Sequence, residues 1–388
     1  MVKFFTALNC VLAFQLLAGL AAAQECTLLD ISKDVNRHVI IAQGTPELYQ
    51  GHPYSVCLPD GKTVFVVWCI GHGGPAGPMA KSTDGGLTWE RLDGRLPAGY
   101  VKHRNCPSIF RLENAQGQSF LWVFSAQPRM ARIVSADDGQ TWEEKEPLGI
   151  SNVMAFSTII PKNPGVRDGR YLGFYHHKKT DDGAVADAEP RGGHLEVALC
   201  ETDDAGFTWL VPRVVASVEG KDPCEPCAFW SPDKKEICVL MRENRGAGGE
   251  NRRALQMFST DRGETWTVPE PTSRELTGHR HIGTYTPDGR LIFAFRDTAP
   301  GSPWLGSFAA WVGTYDDIKN HRPGQYRVKL LHSYAGWDCG YPGVECLADG
   351  TIAALTYIQY DDGPNKHSVV ETRFKMEELD RLGNLNKN

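Results

Sequence analysis

One octapeptide occurs four times along the chain: STDGGLTW from Ser82, SADDGQTW from Ser135, TDDAGFTW from Thr202 and STDRGETW from Ser259. Each fits [ST]-x-D-x-G-x-T-W, with Asp84, Asp137, Asp204 and Asp261 third and Trp89, Trp142, Trp209 and Trp266 last. Chance composition does not repeat five constrained positions in eight. The pattern describes a β-hairpin: the Asp and Ser/Thr side chains bond backbone amides across the turn, the Gly takes a positive φ, and the Trp packs between sheets. Copies spaced roughly 50–70 residues apart imply an array of similar sheets. The aspartates are structural on this reading, because the turn consumes their hydrogen bonds.

A second signal alternates with the first. The turns LPDGK (from Leu58), VRDGR (from Val166), SPDKK (from Ser231), TPDGR (from Thr286) and LADGT (from Leu347) each precede a short β-rich run, and a similar turn at Ala115 precedes SFLWVF. These are six strand-turn-strand units. The first four end in the octapeptide, the fifth keeps a degenerate remnant, GTYDDI from Gly313, and the sixth has none. Six small antiparallel sheets close into an all-β, six-bladed β-propeller of four-stranded antiparallel sheets. Residues around Val39 to Ala42 are expected to complete the last blade. Helical signal is confined to MEELDRL at Met376. With no linker or low-complexity stretch, residues 24–388 read as one domain.

The N-terminus reads as a secretory signal over residues 1–23: Lys3, an apolar run from Phe4, then Ala21, Ala22 and Ala23. A secreted or periplasmic protein is expected, with no integral membrane segment once the signal is removed. A net charge of −6 gives no basic footprint, which argues against a nucleic-acid partner. Ten cysteines lie beyond Cys10, an even number that permits disulfides in an exported chain. Cys224 and Cys227 form a CxxC without a second one, so a disulfide or buried thiol is favoured over a redox or zinc site. No cofactor is indicated.

At this spacing the octapeptide is the Asp-box of sialidases, and the chain from Gln50 to Tyr360 resembles an exo-sialidase. Two further stretches carry the resemblance. EPCAFWSPDKKEICVLMR, from Glu225 to Arg242, is similar to the sialidase segment in which a Glu opens one strand and an Arg closes the next. CGYPGVECLADGTIAALTY, from Cys339 to Tyr357, resembles the last sialidase blade, with a Tyr near the strand start. The resemblance implies Tyr341 as nucleophile, Glu225 as its partner, and Arg242 as one of three arginines gripping the substrate carboxylate. The chemistry suits the residues. Sialic acid bears its carboxylate on the anomeric carbon, so a neutral Tyr avoids the repulsion a carboxylate nucleophile would meet. Guanidinium groups bind such a carboxylate bidentately. Arg296, which closes the matching strand LIFAFRD, and Arg104, in HRNCPSIF, complete the expected cluster. Asp297 beside Arg296 is read as its ion-pair partner.

The first blade departs from the family. Where an Arg-Ile-Pro type motif is expected, the chain reads QGHPYSV, and the loop expected to carry an acidic Asp reads CIGHGGPAGPM. His52 and His72 stand near the vacant places and offer acid–base groups near neutral pH. Asp338, three residues before Tyr341, is a further candidate, as are His103, His176 and His177. The function expected is an exported exo-sialidase acting on sialylated glycans. Two alternatives remain: a non-catalytic glycan-binding propeller, and a propeller glycosidase for another sugar. Geometry discriminates, since a hydrolase needs Tyr341 and Glu225 within hydrogen-bond reach near the axis, with at least two arginines around them.

Overall fold

The computed structural model describes residues 25–186, 192–245 and 253–385. The expected signal, residues 1–23, lies outside the described residues. Six sheets ring an axis, and their first strands pack against one another around it. These first strands are Gln50–Cys57, Ser108–Glu113, Thr158–Pro161, Pro223–Trp230, Gly278–Tyr285 and Cys339–Cys346, in blades I to VI. Blade VI joins the two ends of the chain: His38–Ala42 pairs antiparallel with Ser368–Phe374 as its outer strand. The expected closing strand is therefore present. It removes the open edge that would otherwise separate the first and last blades.

The octapeptides build the hairpins as their chemistry requires. In the first copy the Ser82 hydroxyl accepts the Gly86 N–H at 2.8 Å, and Asp84 accepts the Thr88 N–H at 2.9 Å and its hydroxyl at 2.5 Å. The Trp89 indole donates to the Gly86 carbonyl at 3.0 Å. Gly86, Gly139, Gly206 and Gly263 all have φ between 82° and 94°. The tryptophans then reach the preceding blade. Trp142 lies edge-on to Phe65 of blade I, Trp209 to Phe124 of blade II and Trp266 to Phe174 of blade III. Each repeat thus closes its own hairpin and seals a blade interface.

Three features depart from the sequence reading. The remnant GTYDDI is the start of a short helix, Tyr315–Lys319: Thr314 and Asp317 form a reciprocal capping box, which puts the Thr and Asp to a different use from the octapeptide. Blade V gains a fifth strand, Thr27–Asp30, parallel to Tyr326–Leu331. Cysteine parity also misled. All ten described thiols are free, seven of them buried, so the disulfide alternative fails and the buried-thiol alternative describes Cys224 and Cys227. The expected C-terminal helix is present as Met376–Leu385. Among the described residues no helix is long and apolar enough to cross a membrane.

Candidate active site

Four of the six inner strands carry the same irregularity. In blades I, IV, V and VI the register slips so that two residues of the first strand face one of the second: 52–53, 225–226, 280–281 and 341–342. The leading residues are His52, Glu225, Arg280 and Tyr341, with φ of 48°, 51°, 50° and 51°. Left-handed backbone at a non-glycine residue costs on the order of 1–3 kcal/mol. Four equivalent outliers converging on one axis indicate a built site, since bulges are the usual means of re-aiming a side chain. In three of the four the second bulge residue is proline (Pro53, Pro226, Pro342), which has no N–H to leave unpaired in the interrupted ladder.

The four side chains meet. The Tyr341 hydroxyl donates to Glu225 Oε1 at 2.6 Å. Arg242 Nη1 donates to the same oxygen at 2.9 Å, and its Nη2 to Asn244 Oδ1 at 2.6 Å. Glu225 Oε2 is buried and without a partner. Behind the carboxylate, the Glu225 N–H donates to His176 Nδ1 at 3.3 Å, which leaves the proton of a neutral His176 on Nε2. The His52 ring packs against Tyr341 at a tilt of 38°, 4.3 Å between centroids, with its Nδ1 3.2 Å from the Cys106 sulfur. Beneath Tyr341 lies Arg280, only 3% exposed, its guanidinium carbon 4.8 Å from the Tyr341 ring centre and 5.6 Å from that of Tyr54. A cavity of about 360 Å³ opens over the group, lined among others by His52, His72, Cys106, Glu225, Arg242 and Tyr341.

Electrostatics sharpen the roles. Burial works to raise the Glu225 pKa, but the Arg242 charge, the Tyr341 hydrogen bond and the His176 and His279 rings outweigh it and hold the carboxyl well below its ordinary range. Burial and the Glu225 charge push the Tyr341 phenol well above its own. The resting pair is therefore carboxylate and neutral phenol. His52 is pushed well below its ordinary value by burial, then by His72 and Arg280, so its imidazole is neutral. Burial similarly brings His176 down to about 4.

His72 and Asp338 form a second group on the rim. His72 Nδ1 lies 3.4 Å from Asp338 Oδ1, and the two ring systems of His72 and His52 are 4.5 Å apart. Asp338 also accepts the hydroxyls of Tyr49 at 3.0 Å and Tyr357 at 3.2 Å, and lies 3.3 Å from His367. Burial works to raise Asp338, yet the His72 hydrogen bond and the His367 and His72 charges keep it well below the usual carboxylate range.

The expected arginine cluster does not assemble. Arg242 and Arg296 hold equivalent places, opposite Cys224 and His279 in their sheets, as the strand parallel suggested. Arg296, however, turns away from the pair: Nη1 donates to the Trp337 carbonyl at 2.5 Å and Nη2 to His279 Nδ1 at 2.9 Å. Arg104 is exposed, with its backbone bridged to Pro75 and Gln127, and does not line the cavity. Asp297 pairs with the buried Arg327 at 2.7 Å rather than with Arg296. The residue that sequence reasoning missed is Arg280. Its bulge carries His281 in place of proline, so the X-Pro signal that marks the other three bulges is absent there. His177 faces a different cleft and bonds Glu196, and His103 bonds Glu144. Among the described residues no group of three or more His, Cys, Asp or Glu side chains is placed to hold a metal.

Comparison with known proteins agrees with this architecture. Residues 99–330, more than half of the chain, match the BNR repeat-like domain. The chain belongs to the BNR repeat-like family. Among curated proteins none matches in sequence. Solved structures share the fold at low identity. A protein of unknown function from Dyadobacter fermentans is 16% identical with a TM-score of 0.64, covering 87% of this chain and 97% of that one. The alpha-L-arabinanase of Penicillium chrysogenum, solved with arabinobiose, is 14% identical with a TM-score of 0.61, covering 88% and 98%. The intramolecular trans-sialidase of Ruminococcus gnavus, solved with oseltamivir carboxylate, is 16% identical with a TM-score of 0.55, covering 85% and 95%. This BNR propeller thus has glycoside hydrolases among its structural neighbours.

Proposed function

We propose that this BNR protein is an exported retaining exo-glycosidase that removes terminal sialic acid, or a closely related 2-keto-acid sugar, from glycoconjugates. The observation that carries the reading is the 2.6 Å hydrogen bond from Tyr341 to a buried Glu225 carboxylate at the floor of the axial cavity. A Tyr–Glu pair is the nucleophile suited to an anomeric carbon that already bears a negative charge, because the attacking group is neutral. Arg242, half-turned to the cavity through Glu225 and Asn244, is the cation available to the substrate carboxylate.

In the first step Tyr341 Oη bonds to the anomeric carbon as the glycosidic C–O bond breaks. The phenolic proton passes to Glu225, and the leaving oxygen takes a proton from His72 Nε2. The gap between a raised phenol and a lowered carboxyl keeps this proton on Tyr341 at rest. The transfer becomes favourable only as the C–O bond forms and the phenolic oxygen turns into an aryl-ether oxygen. In the second step His72 takes a proton from water, which attacks the same carbon, and Tyr341 departs with the proton returned by Glu225. Asp338 orients the His72 ring by its contact with Nδ1 and supports the imidazolium, the role a carboxylate plays behind a catalytic histidine. His52, buried and neutral, acts as a packing wall for the Tyr341 ring.

A neutral-sugar substrate is the second reading, favoured by the single cavity-facing arginine among the expected three. Assays of free sialic acid released from α2,3-, α2,6- and α2,8-linked substrates, run beside arabino-oligosaccharides, decide between them. Release from any sialylated substrate that is abolished in Tyr341→Phe supports the proposal. Release of arabinose alone transfers the site to the second reading, and undiminished activity in Tyr341→Phe removes the nucleophile. Export is supported by the apolar run ending at Ala23, and is tested by N-terminal sequencing of protein recovered outside the cell, expected to begin at Gln24.

A further inference from the structure

Arg280 occupies the same bulge position as His52, Glu225 and Tyr341, yet it is not among the residues lining the cavity and pairs with no carboxylate among the described residues. Its side chain is sandwiched between the Tyr341 and Tyr54 rings, its Nε is buried without a partner, and no acid among the described residues lies within ion-pairing distance of it. An unpaired buried cation is expensive, so a chain that retains one must use it or offset it. Two aromatic faces, those of Tyr341 and Tyr54, lie against the guanidinium, a contact strengthened by burial. Tyr54 lines a separate cavity of about 460 Å³ with Thr158, Cys227 and Glu345, so Arg280 lies between a ring of the candidate site and a ring of that second cavity.

We propose that Arg280 is a positioning residue that holds the Tyr341 ring from below and, by its charge against the ring face, stabilises negative charge on the phenolic oxygen as it forms and as it leaves. This rests on the reading of Tyr341 as nucleophile. The contact differs in kind from the in-plane bond to Glu225: a phenol presents a weak quadrupole to the cation, whereas a phenolate presents a full delocalised charge. The other groups facing Tyr341 are Glu225, which opposes ionisation, Arg242, which favours it, the Cys106 thiol, and the His52 and Tyr357 rings. Arg280 is the member of this set that adds positive charge without occupying the cavity or the Glu225 carboxylate.

The test places a difluorotyrosine at position 341 and follows its ¹⁹F resonance as pH is raised, in the full protein and in Arg280→Lys, Arg280→Met and Arg280→Gln. The neutral variants are expected to raise the ionisation midpoint by about one to two pH units, roughly 10- to 100-fold in proton affinity. Arg280→Lys should recover most of that shift, because the charge is kept while the planar stack is lost. Two neutral variants guard against one that does not fold, and thermal melting checks each. An unmoved midpoint in a folded neutral variant overturns the proposal, as does a Lys variant no better than Met. The readout does not depend on turnover. A shifted midpoint in a protein that releases no sugar upholds Arg280 and sinks the substrate reading; turnover with an unshifted midpoint does the opposite.

Discussion

Replacing Glu225 by Gln removes one charge and keeps an acceptor, so it separates the electrostatic part of the site from its shape. In the wild type one oxygen, Oε1, accepts from both Tyr341 at 2.6 Å and Arg242 at 2.9 Å. The residue is 2% exposed, while the Arg242 side chain keeps 18% of its surface. Breaking a fully buried ion pair typically costs about 3–5 kcal/mol. Because water reaches Arg242 through the cavity, a loss of about 2–3 kcal/mol is expected here. The sign of the pH dependence follows from the depressed folded-state pKa of Glu225. Its contribution is complete above the ordinary carboxylate range and is lost as pH falls through the folded-state value. The wild type should therefore exceed Glu225→Gln in urea denaturation at pH 7, and the gap should narrow as pH is lowered from about 4.5. On the proposed function, kcat/KM should drop by about 10²- to 10⁴-fold, the range for a lost general base. Equal stability of the two proteins at pH 7, or a gap that widens in acid, would refute the electrostatic reasoning.

His72→Gln and Asp338→Asn should each lower kcat/KM, which reports the step that expels the leaving group, by about 10²-fold or more on alkyl glycosides, and far less on aryl glycosides whose leaving group needs no proton; equal losses in kcat/KM on both would deny His72 the acid role. Arg242→Met should impair sialic-acid release severely, whereas Arg296→Met, bonded to Trp337 and His279 instead of the cavity, should stay within about threefold of wild type in kcat/KM. Asp84→Ala removes the acceptor of the first hairpin and should cost about 1–2 kcal/mol with kcat unchanged, read by thermal or urea unfolding. Burial works to raise the Asp84 pKa, but the bonds from Thr88, Ser82 and the Leu87 amide together outweigh it and bring it down to about 2, so that contribution should persist at neutral pH and disappear as pH falls towards 2.

The architecture was legible because the information is local. An octapeptide whose Ser, Asp, Gly and Thr bond one another within four residues carries its own hairpin, and four copies with interleaved turns count blades. The fifth blade shows the limit: Thr314 and Asp317 are spaced for a capping box, and a helix replaces the hairpin. The site is a different matter. Glu225 and Tyr341 are 116 positions apart, and nothing in either segment states that they touch; the resemblance supplied the pair, and in the fold they are in contact. The proline after three of the bulged residues was a readable marker of interrupted strands, and its absence after Arg280 hid the fourth. Arg296 marks another limit. Its register matches that of Arg242, but the direction of a long side chain depends on the Trp337 carbonyl in the loop between blades V and VI. Asp297 likewise found its partner two strands away in Arg327 rather than beside it in sequence.

The central claim is that Tyr341 forms the covalent bond to the sugar. It is tested most directly by incubating the protein with a fluorinated sialosyl probe that forms its glycosyl-enzyme rapidly and releases it slowly, then mapping the adduct by peptide mass spectrometry. The result expected is a single sialosyl adduct on Tyr341, absent from Tyr341→Phe and slow to form in Glu225→Gln. An adduct on Glu225, or turnover of sialylated substrate with no adduct at Tyr341, would contradict the account.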